Sequence, residues 1–170
     1  MKKNLINTFD DAFGFWFAGL TDGEGSFVIT IQKQKGGFKR KLQLLTEFTI
    51  GLSEPDKETI DYISEKLVVC KKTISKIDKR YAGKRMCCLK ITKKEHIKNI
   101  IIPFFEKYKL RSSKRKDFEI WKNVAMKLIN GEIKTDDDIL EIAKIRNENF
   151  NKGGSVRRKT YEQLFEFVYG

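Results

Sequence analysis

Cysteine, histidine and long apolar runs are all scarce in this 170-residue chain. Three cysteines, Cys70, Cys87 and Cys88, form an odd set with two adjacent members, which suits a reducing compartment rather than a disulfide framework. The one histidine, His96, falls on an expected helix. Zinc ligation with Cys87 or Cys88 therefore lacks both ligand count and spacing, and no Ser-His-Asp arrangement can be argued from it. There is no Walker-type phosphate loop. The longest apolar run, Ile100 to Phe105, is interrupted by Pro103 and falls well short of the ~20 residues a membrane span requires. Met1 to Asn7 begins like a signal peptide, but Asp10 and Asp11 arrive before an apolar segment can form, so no secretion signal is expected. Acidic residues are the minority charge, 23 Asp+Glu against 35 Lys+Arg, for a formal charge of +12. That excess allows nucleic acid or an anionic membrane surface as partner.

What the chain does have is 40% hydrophobic residues, including 13 Phe, too many for a disordered basic tail. A chain of this size buries roughly 70% of its unfolded surface, so one domain over 1–170 is expected, with a core about 8–130 and C-terminal helices over 131–170. Thr8 to Thr21 reads as a helix with Phe13, Phe17 and Leu20 on one face and Phe15, Ala18, Gly19 and Asp22 on another. It is expected to stop at Asp22-Gly23-Glu24-Gly25. Alternation over Ser26–Lys35 and Lys39–Leu52, around Gly36-Gly37, gives a hairpin. A helix entered at Ser53-Glu54-Pro55-Asp56 follows, then a second hairpin over Lys72–Ile91 turning near Ala82-Gly83. Thr92-Lys93-Lys94-Glu95 resembles a capping box, Phe118 to Ile129 is helical up to Gly131, and Thr135 and Thr160 cap two more helices. Asn151 to Ser155 reads as a flexible link. The order describes an α+β protein with an antiparallel sheet covered by helices on one face.

The positive charge is polarised. Lys71 to Lys98 holds 11 Lys/Arg and 2 Asp/Glu, whereas Glu132 to Glu148 holds 3 and 6. Lysines on the hairpins alternate with side chains able to read base edges, and a two-stranded ribbon fits the major groove. The candidate contacts are Val28, Thr30, Gln32 and Gln34 on the first strand, and Lys39, Arg40, Lys41, Gln43, Glu47 and Thr49 around the second. The second hairpin adds Ser75, Lys76, Lys79, Arg80, Lys84, Arg85 and Lys90. No basic stretch has the amphipathic pattern of a membrane-surface helix, so no membrane partner is expected.

Phe17-Ala18-Gly19-Leu20-Thr21-Asp22-Gly23-Glu24-Gly25-Ser26-Phe27 resembles the signature of the LAGLIDADG homing endonucleases. Phe48 to Leu52 followed by Asp56, Ile102 to Tyr108, and Lys114 to Lys122 resemble later segments of that family, so the likeness covers most of 12–122. It implies an αββαββα fold whose sheet forms a DNA-binding saddle with helices on the opposite face. It implies a nuclease that hydrolyses phosphodiesters of double-stranded DNA with Mg²⁺, or Mn²⁺ as a substitute. Glu24 would be the metal-binding acid with the Gly23 carbonyl beside it, Asp22 a stabiliser of the turn, and Lys114 the lysine near the cleavage centre, with Lys109 and Arg111 as rivals. Leu52 stands where the family often has a polar residue such as Gln. With one motif copy, the resemblance implies a homodimer packed through Phe15, Ala18, Gly19 and Asp22, cutting a long pseudo-palindromic target to leave 3′ overhangs in support of intron mobility. An RNA-binding maturase or a non-cleaving DNA-binding protein on the same scaffold is the alternative. The Lys/Asn/Ile-rich composition suits an AT-rich organellar genome, so a mitochondrion or chloroplast is the expected compartment.

Overall fold

The computed structural model describes residues 9–34, 36, 38–69, 73–77 (backbone alone), 85–150 and 159–170. Helix α1 (Asp11–Glu24) leads into strand β1 (Gly25–Lys33) and strand β2 (Leu42–Ser53), and a 3₁₀ turn at Glu54–Asp56 opens α2 (Lys57–Lys66). Strands β3 (Thr73–Ile77) and β4 (Arg85–Ile91) follow. Next come α3 (Lys94–His96), a π-helical turn (Ile97–Ile101), α4 (Ile102–Lys107), α5 (Lys114–Ile129), α6 (Asp136–Asn149) and α7 (Tyr161–Tyr169). The four strands lie in the order β1-β2-β4-β3, giving the expected α+β plan. Two compact units can be distinguished within the chain: Met1–Phe27 with Glu47–Arg115, and Val28–Thr46 with Lys116–Gly170.

In the first unit, Asp10 caps α1 by accepting the Phe13 N–H at 2.7 Å. The helix buries Phe13, Gly14, Phe17, Ala18 and Thr21. Gly14 is obligatory, because a Cβ there would stand 2.2 Å from the Tyr108 ring. Phe17, Phe27, Phe48, Phe104 and Phe105 form the centre of this unit through edge and tilted ring contacts of 5.1–6.2 Å. Each such ring, fully buried, contributes about 1.5–3 kcal/mol of transfer free energy. The β2–β4 register pairs Phe48 with Ile91, Ile50 with Leu89 and Leu52 with Cys87, so apolar side chains of both strands share one face. A one-residue slip would turn all of them outward.

Two expectations are corrected here. Helix α1 does not stop at Asp22 but runs through Gly23 to Glu24, and Gly25 is its extended cap, with its N–H on the Thr21 carbonyl. The capping box at Thr92 does not form: the N-cap is Lys93, which puts Glu95 at the second rather than the third helical position. Pro103 is accommodated by the preceding π turn, where the Ile102 N–H reaches back five residues to Ile97 O.

In the second unit, α5 buries Phe118, Trp121, Val124 and Ala125, and Gly131 at φ +72° follows it. Thr135 and Thr160 cap α6 and α7 with complete capping boxes, as the sequence suggests. The turn at Ala82-Gly83 and the link from Asn151 to Ser155 lie outside the described residues.

Candidate functional site

A helix C-terminus presents unpaired carbonyls and partial negative charge, and α1 has no basic residue in its own last turn. Lys114, the first residue of α5, supplies the missing cation. Its ammonium donates to Thr21 O at 3.0 Å and Gly23 O at 3.1 Å. Between those carbonyls, Asp22 reaches the other way. Its carboxylate accepts the Arg111 N–H at 2.8 Å, the Ser112 N–H at 3.1 Å and the Ser112 hydroxyl at 2.6 Å. Ser112 Oγ in turn accepts the Lys114 N–H at 3.2 Å, which fixes the start of the helix that carries the lysine. Partial burial pushes the Asp22 carboxyl up, but the Ser112 hydroxyl, the two backbone N–H groups and the Lys114 charge together outweigh it and hold it below its ordinary value.

Glu24, the last helical residue, is exposed and has no hydrogen-bond or ion-pair partner among the described residues. Of the three candidate basic residues, Lys114 is the one whose charge reaches the motif; Arg111 contributes a backbone N–H and Lys109 is exposed. Among the described residues no cluster of three or more His, Cys, Asp or Glu is poised around a metal position. The oxygens at this foot outside the Asp22 contacts are the Glu24 carboxylate and the Thr21 and Gly23 carbonyls, both of which accept from the Lys114 ammonium. A carboxylate and backbone carbonyls are hard oxygen donors, the class that a divalent cation such as Mg²⁺ accepts.

The strand faces divide by unit. In the first, Glu47 and Thr49 are half-buried and Lys90 is exposed, but Lys90 and Glu47 pair at 2.9 Å, and Arg85 stands 3.6 Å from Glu54. In the second, Val28, Thr30, Gln34 and Gln43 are half-buried and Gln32 and Lys39 exposed, while Arg40 and Lys41 are engaged with carbonyls of their own chain. Ser75 and Lys76 are described by backbone alone, and Lys79, Arg80 and Lys84 lie outside the described residues. On α1, Phe15 is 62% exposed and a Cβ at Gly19 would meet nothing, but Ala18 is only 4% exposed. Ala18 is thus corrected from the outer face of the helix to the protein's own core. The sequence reading missed Ser112, although Ser112-Ser113 ahead of a basic helix is itself a helix-start signal.

A family model described as LAGLIDADG endonuclease matches residues 17–125. The chain belongs to the LAGLIDADG endonuclease family. The matched segment holds Asp22, Glu24, Ser112 and Lys114 and ends inside α5, leaving α6 and α7 outside it. Among curated relatives, "Probable intron-encoded endonuclease 2" of Neurospora crassa is 28% identical over 138 residues, covering 79% of this chain and 26% of that protein. "Probable intron-encoded DNA endonuclease 1" of Mycosarcoma maydis is 22% identical over 166 residues, covering 97% of this chain and 56% of that one. This chain therefore spans about a quarter and just over half of the two relatives' lengths. Among solved structures, the LAGLIDADG homing endonuclease I-LtrWI bound to target DNA superposes with a TM-score of 0.75 at 29% identity, over 86% of this chain and 47% of that one. The homing endonuclease I-TnaI shares the fold at a TM-score of 0.71 and 23% identity, over 91% of this chain and 95% of that one.

Proposed function

We propose that this chain supplies one half-site of a site-specific double-stranded DNA homing endonuclease. The observation that carries the reading is the foot of α1, where the unpartnered Glu24 stands next to the Gly23 carbonyl and a lysine is clamped onto that carbonyl. Glu24 and Gly23 O would hold Mg²⁺, with Mn²⁺ as a substitute, and such an ion would supply charge neutralisation at the scissile phosphate and activation of a water. Glu24 needs no partner of its own chain for this role, and its exposure leaves room for a phosphate. Lys114 brings a second positive charge to the same place, suited to stabilising charge that develops on phosphate oxygens. Thr30, Gln32 and Gln43 on the strand faces carry the donors and acceptors that base edges require.

One chain offers one such acid, so cutting both strands requires a second copy of this half. The outer face of α1, with Phe15, Gly19 and Asp22, is the surface on which a C₂ partner would pack. The I-LtrWI chain, about half of which this chain covers, supports a pairing of two such halves, whether from two copies or within a longer chain. Staggered cuts with 3′ overhangs and a role in intron mobility belong to the same reading, and the intron-encoded relatives support it. A non-cleaving DNA- or RNA-binding role is favoured by one observation, the apolar Leu52 at the end of β2, and is weighed against the retained Glu24.

The test is incubation with Mg²⁺ and a randomised duplex library, followed by sequencing of the ends, for the wild type and Glu24→Gln. Cleavage at one long, near-symmetric sequence by the wild type alone is expected. No Mg²⁺-dependent cutting by the wild type sinks the nuclease reading, and equal cutting by the variant removes Glu24 from it.

A further inference from the structure

The two helices beyond the family segment hold the turn end of the first hairpin. Helix α6 begins with three aspartates, and each has its own partner. Asp138 closes the capping box with Thr135, Asp137 accepts the Tyr169 hydroxyl, and Asp136 takes two backbone N–H groups of the hairpin. The Lys41 N–H meets one Asp136 oxygen and the Leu42 N–H the other, both at 2.9 Å, at the residue where β2 begins. Around this grip Arg40 Nη1 donates to Ile133 O at 3.1 Å, the Lys41 ammonium donates to Val168 O, and the Lys33 ammonium stands 4.3 Å over the Phe167 ring. Helix α7 has no basic residue in its last turn, so the hairpin lysine supplies the cation its C-terminus favours. Arg40 and Lys41, expected on DNA, are thus engaged internally, while Thr30, Gln32 and Gln43 of the same hairpin stand on its less buried side.

We propose that Asp136 is a specificity-determining positioning residue: by fixing where β2 begins, it sets the register in which Thr30, Gln32 and Gln43 meet base edges. The inference rests on the DNA-binding reading above. It opposes what charge alone dictates, since removing a carboxylate from a DNA-binding protein lessens repulsion and raises affinity for every duplex.

The full chain is compared with Asp136→Ala and the milder Asp136→Asn, which keeps one acceptor oxygen. Amide exchange at Lys41 and Leu42 is measured without DNA. Binding is then measured to the duplex the wild type selects from a random library and to its single-base-pair variants. Faster exchange confined to the hairpin end is expected, largest for Ala. Discrimination should fall about tenfold at one contiguous group of base pairs in each half-site, with the cleavage rate on saturating selected duplex unchanged. Unchanged exchange at both amides overturns the grip. Faster exchange with discrimination intact, or with affinity raised evenly across duplexes, overturns the specificity role while the DNA reading stands. A wild type that selects no duplex removes the DNA reading and this inference with it.

Discussion

The foot of α1 and the end of the β1–β2 hairpin are held by the same pair of contacts. At the first, Asp22 captures the consecutive N–H groups of Arg111 and Ser112, and Lys114 covers the C-terminal carbonyls of α1. At the second, Asp136 captures the consecutive N–H groups of Lys41 and Leu42, and Lys41 covers a C-terminal carbonyl of α7. In both places a helix without a base in its last turn borrows a lysine from elsewhere in the chain. What differs is the remainder. The hairpin end uses all three of its aspartates, whereas the foot of α1 leaves Glu24 unspent. The shared contacts fix geometry at both places, and an acid left over makes only one of them a candidate for chemistry.

Removing that leftover acid should produce the largest effect. Glu24→Gln is expected to lower the cleavage rate on the order of 10³-fold while DNA affinity changes little, measured by single-turnover cleavage beside equilibrium binding. A parallel loss of binding would break the comparison, because Glu24 would then be holding structure as Asp22 and Asp136 do. Lys114→Met comes next, with a loss of about 10²-fold in the same assay, since it removes one charge from the site but leaves the acid. Full activity in Lys114→Met would reduce the foot of α1 to a structural staple like its counterpart.

Much of this was legible in the sequence where the signal is local. The alternation in β1, β2 and β4 reappears as alternating burial, and Thr135 and Thr160 cap the helices they precede. The acidic turn could be read because all its residues are adjacent. Where α1 ends could not, because Gly23 stays helical in a turn whose carbonyls receive an ammonium from about 90 residues away. Ala18 was misplaced for a related reason: a small residue serves a core face and an outer face equally well, and only packing decides. Asp136 follows directly on the Thr135 cap that the sequence reveals, but its partners, 94 and 95 residues away, follow no periodicity. Likewise Glu47 and Lys90 each read as a DNA contact from the sequence, which carries no sign that their side chains pair at 2.9 Å between β2 and β4.

A smaller effect is expected from Asp22→Asn, which keeps the shape but loses the charge and half of the acceptor capacity. Because the carboxylate is only partly buried and remains screened by solvent, the loss of stability should be about 1–2 kcal/mol, read from denaturant midpoints. The sign with pH follows from its lowered pKa. Asp22's contribution is complete above the ordinary carboxyl value of 3.8 and lost as pH falls through the folded value, so acid should narrow the gap between wild type and variant. A gap that widens in acid would mean the carboxylate is not what holds Ser112.

The smallest effect should come from Arg111→Ala. Asp22 binds the backbone N–H of residue 111, which alanine retains, so the staple survives the substitution. The exposed guanidinium then matters only if it meets a phosphate, and its removal should flatten the dependence of affinity on salt by about 0.9 in log–log slope. Cleavage of bound duplex should be unchanged. The same slope change with a large fall in the bound cleavage rate would instead give Arg111 the place assigned to Lys114. The foot of α1 would then hold its basic group by the side chain of the loop rather than by the first residue of α5, and its likeness to the hairpin end, where the lysine beside the captured N–H covers the helix, would become closer still.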